Sequence, residues 1–275
     1  MFLFALLMAL GSLAAQRVIR VLAIGNSFSE DAIENNLYAL GKAQGDVIVV
    51  GNLYIGGASL ELHSHNAALN LPAYRYRKTD ADGQRHQIDT MTLERALNDE
   101  AWDYVSLQQA SHFSGQYATY QPYLADMVTF VKKHCPRARL LWHQTWAYAA
   151  NSTHDGFANY GRNQQQMYKS IIAASRRAMR DGKFKRVVPS GTAIQNARSS
   201  FIGDKLDRDG YHLNLIYGRY VAACTWLEVL TGKSAVGNSY APEGMTSQLI
   251  RVSQAAAHAA VKHPWRPTDL SAYKE

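Results

Sequence analysis

Short runs of β-branched and aliphatic residues recur along the chain, and most are followed by a stretch with apolar residues at helical spacing. Residues 17–24 (RVIRVLAI), 46–54 (DVIVVGNLY), 102–107 (WDYVSL), 138–143 (ARLLWH) and 184–189 (FKRVVP) predict five strands. Between them, residues 31–44 place apolar side chains at 33, 37, 40 and 43, which predicts a helix. Further helices are predicted over 93–100, 120–134, 159–180 and 212–231, the last stopped by Gly232. Pro122 falls in a first turn, where its missing N–H costs nothing. Residues 72–89 carry Tyr74, Tyr76 and a D-A-D-G turn, and predict a small inserted hairpin. Strands alternating with helices predict an α/β fold with a parallel sheet of about five strands covered on both faces. With no linker, repeat or charge block, one domain over residues 17–275 is expected.

Composition narrows the class. The 275 residues are 47% hydrophobic and 19% charged, an ordinary globular balance that excludes disordered, collagen-like and coiled-coil chains. Lys and Arg number 29 against 22 Asp and Glu, a net charge of +7. These cations are scattered, without the focused patch that nucleic acid requires, so no nucleic-acid partner is expected. Residues 2–13 are apolar and uncharged and precede Ala14, Ala15 and Gln16. That is too short to span a bilayer, which takes about 20 residues. It reads as a signal peptide over 1–16, although no Lys or Arg precedes it. The protein is therefore expected to be exported, periplasmic or extracellular, without stable membrane anchoring. Cys135 and Cys224 are too few for a disulfide framework and are expected to be unpaired core residues.

In such a sheet, ligands bind beyond the carboxyl ends of the strands. Gly25-Asn26-Ser27-Phe28-Ser29 follows the first strand, and Ile55-Gly56-Gly57-Ala58-Ser59 the second. A serine at a strand-to-helix turn sits beside outward-facing amides, but it needs a base to be a nucleophile. His212 is the candidate base. Asp209, three residues earlier in Asp209-Gly210-Tyr211-His212, can hold its Nδ1–H and fix the tautomer. An α/β-hydrolase arrangement is disfavoured: Ser29 replaces the last glycine of G-x-S-x-G, and acid and base share one loop. No dinucleotide or P-loop glycine motif follows the first strand, so no nucleotide cofactor is expected.

These two blocks resemble those of the SGNH (GDSL-like) hydrolases, G-[DN]-S-[LIF]-[ST] near the amino end and D-G-x-H near the carboxyl end. The resemblance runs from Val18 to about Gly232 and implies a flavodoxin-like sheet with Ser27, His212 and Asp209 as a catalytic triad. It further implies an oxyanion hole from the Ser27 and Gly57 amides. The family's G-x-N-D block is absent; Ser106-Leu107-Gln108-Gln109-Ala110-Ser111 stands in its place. A glutamine amide can donate as asparagine does, so Gln108, with Gln109 as the alternative, is expected as third donor. With the His143–Tyr148 run HQTWAY, these features are similar to an exported, little-characterised bacterial branch of that superfamily.

Gln144 and Trp146 follow the fourth strand, and Asn196 lies beyond the fifth; all three are expected to line a substrate cleft. Trp142 and Trp146 would equally suit core packing. Tyr217, Tyr220, Cys224 and Trp226 read as packing residues. His63 and His65, with Glu61 nearby, lack a further ligand motif, so no metal is expected. The expected activity is ester hydrolysis without cofactor, most readily of O-acetyl groups on a small-molecule or polysaccharide carbohydrate. A lipase or lysophospholipase, and a degenerate carbohydrate-binding protein that kept the fold, remain the alternatives. N-terminal sequencing of protein from its native host should find a mature chain beginning at Ala15, Gln16 or Arg17. An intact Met1 in a cytosolic fraction would remove the export expectation.

Overall fold

The computed structural model describes residues 17–274, so the expected signal peptide lies outside the described residues. The chain runs β1 (Val18–Gly25), α1 (Ser27–Ile33), α2 (Leu37–Ala43), β2 (Val47–Tyr54), α3 (Leu60–Ala68), β3 (Tyr74–Thr79) and β4 (Arg85–Met91). It continues through α4 (Leu93–Leu97), β5 (Tyr104–Leu107), α5 (Tyr123–His134), β6 (Arg139–His143), α6 (Gln164–Asp181), β7 (Arg186–Val188), α7 (Ser190–Arg198), α8 (Tyr217–Thr231) and α9 (Ser247–Lys262). One seven-stranded sheet has the order β4-β3-β2-β1-β5-β6-β7. The five predicted strands are its parallel part, since β1 pairs in parallel with β2 and β5, β5 with β6, and β6 with β7. The expected hairpin is present as β3 and β4, inserted between β2 and β5, and it also joins the sheet. Its β3 pairs antiparallel with β2, and β4 with β3, which extends the sheet to seven strands.

Burial on both faces explains the nearly continuous apolar strands. In β1, Ile19, Val21 and Ala23 pack into the core under α1, α2 and α8, while Leu22 and Ile24 pack into the opposite core with α3, α4 and α5 residues. Free, buried Cys224 and Cys135 belong to these two separate cores. The helix expected over 31–44 is two helices. Asn26 caps α1 by accepting the Phe28 N–H, so α1 starts at Ser27, and the chain turns at 34–36 before α2. Asparagine is a poor helix interior residue and a good turn former. Three helices escape the periodicity argument. In α3 (LELHSHNAA) apolar residues are few, and α7 (SGTAIQNAR) is buried along its whole length despite its polar residues. In α9 the buried stripe is mainly alanine, at 256, 257 and 260, with Val252. No described helix is long and apolar enough to cross a membrane.

The chain changes direction on either side of β1, which runs next to β2 and β5, so the topological switch point is at Gly25. That is where such sheets bind ligands. Close approach at the neighbouring strand ends depends on glycine. A Cβ on Gly191, at the start of α7, would lie 2.1 Å from the Thr145 carbonyl oxygen, a backbone atom that cannot swing aside. Gly191→Ala should therefore lower the unfolding free energy by about 1–3 kcal/mol in urea titration. An unchanged midpoint would show that α7 can shift away from β6 without loss.

Candidate functional site

At the switch point, β1 passes directly into α1. A Cβ on Gly25 would lie 2.5 Å from the Ser29 hydroxyl, so glycine permits this tight entry. Asn26 Oδ1 accepts the Phe28 N–H at 3.0 Å, and its Nδ2 donates to the Ala58 carbonyl at 3.0 Å. One buried side chain thus sets the helix start and ties it to the loop after β2. Ser27, the first residue of α1, has no intrahelical acceptor for its N–H. Gly57 sits exposed in that neighbouring loop with φ 67°, a left-handed conformation suited to glycine. Ser29 faces away into the core, donating towards the Asn26 carbonyl and Asn52 Oδ1, both at 2.8 Å.

Asp209 and His212 lie on one closed loop before α8. Its base is fastened by the Asn214 N–H to the Leu206 carbonyl, 2.7 Å, and the Arg208 N–H to the His212 carbonyl, 2.8 Å. Gly210 turns the tip at φ 88°. Asp209 Oδ1 accepts the N–H groups of Tyr211 and His212 at 3.2 and 2.8 Å, while Oδ2 lies 2.7 Å from His212 Nδ1. Partial burial opposes ionisation of Asp209. The hydrogen bonds from the His212 ring and from the two N–H groups outweigh it and hold the carboxyl below its usual range. The ionised carboxylate therefore receives the Nδ1–H. This leaves Nε2, 2.8 Å from Ser27 Oγ, to accept the hydroxyl proton. The three residues are joined so that a histidine oriented by a carboxylate can take the serine proton.

The other expected site residues have side chains committed to the fold. Gln108 is buried, with Nε2 donating to Asn26 Oδ1 and Oε1 accepting from His143 Nδ1, both at 2.8 Å. It braces the helix cap and is not presented to a ligand. Gln109 accepts the Leu60 and Ala110 N–H groups and donates to Thr119, so it too is committed to the fold. Gln144 is fully buried, accepting from the Thr192 N–H and donating to the Pro264 carbonyl. Asn196 donates to the Ala256 carbonyl and accepts the Thr268 N–H, joining α7 to α9 and the chain end. Trp146 is buried flat against Phe28, ring centroids 4.2 Å apart, and donates to the Tyr211 carbonyl at 2.8 Å. Its role is packing between the Ser27 helix and the His212 loop. The His63 and His65 pair is divided: His63 is buried with Nδ1 2.9 Å from the Tyr74 hydroxyl, and His65 is at the surface.

Asp31 was not among the expected site residues, although its position four residues after Ser27 places it one turn along α1. Its carboxylate is fully buried. It accepts from Arg208 Nη1 at 3.0 Å, Arg219 Nη2 at 2.7 Å and the Leu213 N–H at 2.8 Å. Leu213 follows His212 directly, so Asp31 fastens the histidine loop to the serine helix. His143 was expected only within the cleft-lining run. Burial pushes its pKa down to about 3, and its neutral ring links Gln108 to the Ser190 hydroxyl at 3.0 Å.

The sequence matches, over residues 20–260, the family model described as a domain of unknown function, DUF4886. It matches no curated protein. A DUF4886 family protein from Bacteroides uniformis is 50% identical, with a TM-score of 0.92 over 94% of this chain and 100% of that one. A putative GDSL-like lipase from Parabacteroides merdae shares 13% identity at a TM-score of 0.50, over 79% of this chain and 98% of its own. An acetylxylan esterase from Geobacillus stearothermophilus shares 11% identity at 0.50, over 78% and 95%. The resemblance to the SGNH hydrolases thus holds for the fold.

The Asp31 clamp makes a stability prediction. Asp31→Asn leaves two guanidinium groups short of a buried counter-charge and should cost about 3–5 kcal/mol in urea unfolding. Arg208 is about one-third exposed and Arg219 would remain on the carboxylate, so Arg208→Met should cost only about 1 kcal/mol. Equal losses in both variants would show that the clamp does not centre on Asp31.

Proposed function

From the chain's membership of the DUF4886 family and the geometry at the head of α1, we propose that it is a serine esterase of the SGNH kind. The observation that carries this reading is the continuous contact Ser27–His212–Asp209, at 2.8 and 2.7 Å. In the proposed reaction His212 Nε2 takes the Ser27 proton as Oγ attacks an ester carbonyl. Asp209 holds the imidazole tautomer and stabilises the imidazolium. The negative charge on the tetrahedral intermediate falls to the Ser27 and Gly57 N–H groups, with no glutamine contribution. His212 then protonates the departing alcohol, and water, deprotonated by the same nitrogen, releases the acid from the acyl-serine. Every step uses groups of this chain, so the proposal requires neither metal nor organic cofactor.

The proposed substrate is an O-acetylated carbohydrate. Its support is the fold-level likeness to an acetylxylan esterase, an analogy of architecture. The proposed setting is the exported compartment expected from residues 2–13, where polysaccharide esters are met.

A fluorophosphonate probe should label Ser27 alone, and buried Ser29 should stay unmodified. Ser27→Ala should abolish labelling and hydrolysis of p-nitrophenyl acetate with little change in thermal midpoint. Asp209→Asn should lower kcat by about 10²–10⁴, because the amide favours the wrong tautomer. Across p-nitrophenyl esters of increasing chain length, acetate should be preferred; a preference for long chains would favour a lipase. An adduct on another residue, or full activity in Ser27→Ala, would remove this mechanism. A wild-type protein that neither labels nor hydrolyses esters would favour the carbohydrate-binding alternative.

A further inference from the structure

The base is not the only imidazole at this rim. The Tyr211 ring lies 4.1 Å from that of His212, and His154 lies 4.7 Å beyond Tyr211 at an interplanar angle of 76°. His112 continues the row 6.1 Å from His154, nearly parallel at 21°, and rests against Phe113 at 4.1 Å. These rings come from three segments: the loop after β5, the loop after β6 and the His212 loop. His112, Phe113, His154 and Tyr211 are all partly exposed, so they form a wall leading outward from the base.

The polar edges of this wall are uncommitted. His154 Nδ1 accepts the Gly156 N–H at 3.0 Å, which places the ring proton on Nε2, and that Nε2–H has no protein partner among the described residues. His112 uses only its backbone carbonyl, which accepts from Asn159 and Tyr160, so both ring nitrogens stay available. Tyr211 spends its N–H on Asp209 and its carbonyl on Trp146, and its hydroxyl is likewise available. Burial lowers the pKa of both histidines, and each also feels another imidazole: His154 for His112, and His212 for His154. Asp155 and Asp209 oppose this at His154 without reversing it. Near neutral pH the wall therefore offers uncharged donors and acceptors on flat aromatic surfaces. Such a surface suits neutral hydroxyl groups on a ring with an apolar face, and covering it with an alkyl chain would leave its polar edges unpaired.

We propose that His154, Tyr211, His112 and Phe113 form the subsite for the alcohol part of the ester, and that this alcohol is a neutral polyhydroxylated ring, a sugar. The proposal rests on the serine-esterase reading and adds the location and chemistry of leaving-group recognition. His154 and His112 hydrogen-bond sugar hydroxyls, while Phe113 and Tyr211 pack against the sugar's C–H face.

The test compares two kinds of ester in the full chain. One is p-nitrophenyl acetate. The other is whichever of a panel of partially acetylated xylo-, manno- and chito-oligosaccharides is hydrolysed fastest. In His154→Asn the short side chain can still accept the Gly156 N–H in an Asx-type turn, but the ring and its Nε2–H are lost. In His112→Phe the ring surface is kept and the hydrogen-bonding edge is lost. Each variant should lower the ratio of kcat/KM for the oligosaccharide to that for p-nitrophenyl acetate by about tenfold, mainly through KM. Fluorophosphonate labelling of Ser27 should proceed in both, confirming an assembled triad. An unchanged ratio with intact labelling would place the sugar elsewhere and overturn the inference while leaving the esterase reading in place. A parallel fall in both activities and in labelling would show that the histidines only support the triad, which also overturns it. Hydrolysis of p-nitrophenyl acetate with none of the oligosaccharides would exclude a sugar alcohol. A wild-type chain unlabelled at Ser27 would overturn the esterase reading and this inference together.

Discussion

The arrangement around Ser27 depends on one buried carboxylate. Asp31 and Arg208 are 177 residues apart in sequence, and their contact brings the first helix and the penultimate loop into one site. A buried ion pair is poor evidence of net stability, because desolvating the charges offsets most of their attraction. Its value here is positional. The Leu213 N–H on Asp31 fixes the residue after His212, and Asp31 is one helical turn from Ser27, so Ser27 and His212 share a common anchor. Trp146 adds a second tie between the same parts by stacking on Phe28 and donating to Tyr211. Proton transfer demands sub-ångström placement of donor and acceptor. Two independent ties between helix and loop hold in place the parts that the proposed proton transfer would need.

The hydrogen-bonded row behind the serine serves the same end without charge. Ser190, His143 and Gln108 form a buried chain ending on Asn26. His143 is held neutral by burial, so its Nδ1–H donates to Gln108 Oε1. This fixes the orientation of the glutamine amide, whose nitrogen then faces Asn26 Oδ1. A protonated imidazole there would place a positive charge in the core behind the Ser27 turn. A neutral relay sets the Asn26 geometry and avoids that cost.

The parts of this site that sequence could reveal were those fixed by local spacing. Asp209 and His212 are three apart on one short turn, and Ser27 follows a strand that is apolar on both faces; neither feature needs knowledge of distant contacts. The five parallel strands were legible for the same reason. The hairpin's place in the sheet was not, because β4 is largely exposed and its pairing to β3 says nothing of β3's pairing to β2. Gln144 and Asn196 turn into the fold for a related cause. Each donates to a carbonyl at or after α9, Pro264 and Ala256. The alanine-rich stripe of α9 gave little periodic signal, so the buried carbonyls needing donors could not be foreseen. The rule that ligands bind beyond strand ends points to the edge of the sheet where Ser27, His212 and Asp209 meet. It does not say which side chains there face the cleft and which turn beneath the covering helices.

Gln108 shows how a departure from a family motif can turn a side chain into the fold. A side-chain amide was expected where the superfamily has asparagine, on the ground that the donor chemistry is the same. The longer side chain instead reaches Asn26 Oδ1, an acceptor inside the fold, while its own carbonyl is taken by His143. Oxyanion stabilisation in the proposed mechanism then falls on main-chain N–H groups, whose positions depend on the α1 start and the loop at Gly57. Asn26 joins those two through Phe28 and Ala58. In that mechanism the amide next to the serine holds the proposed donors in place, and Gln108 supports the site by holding Asn26.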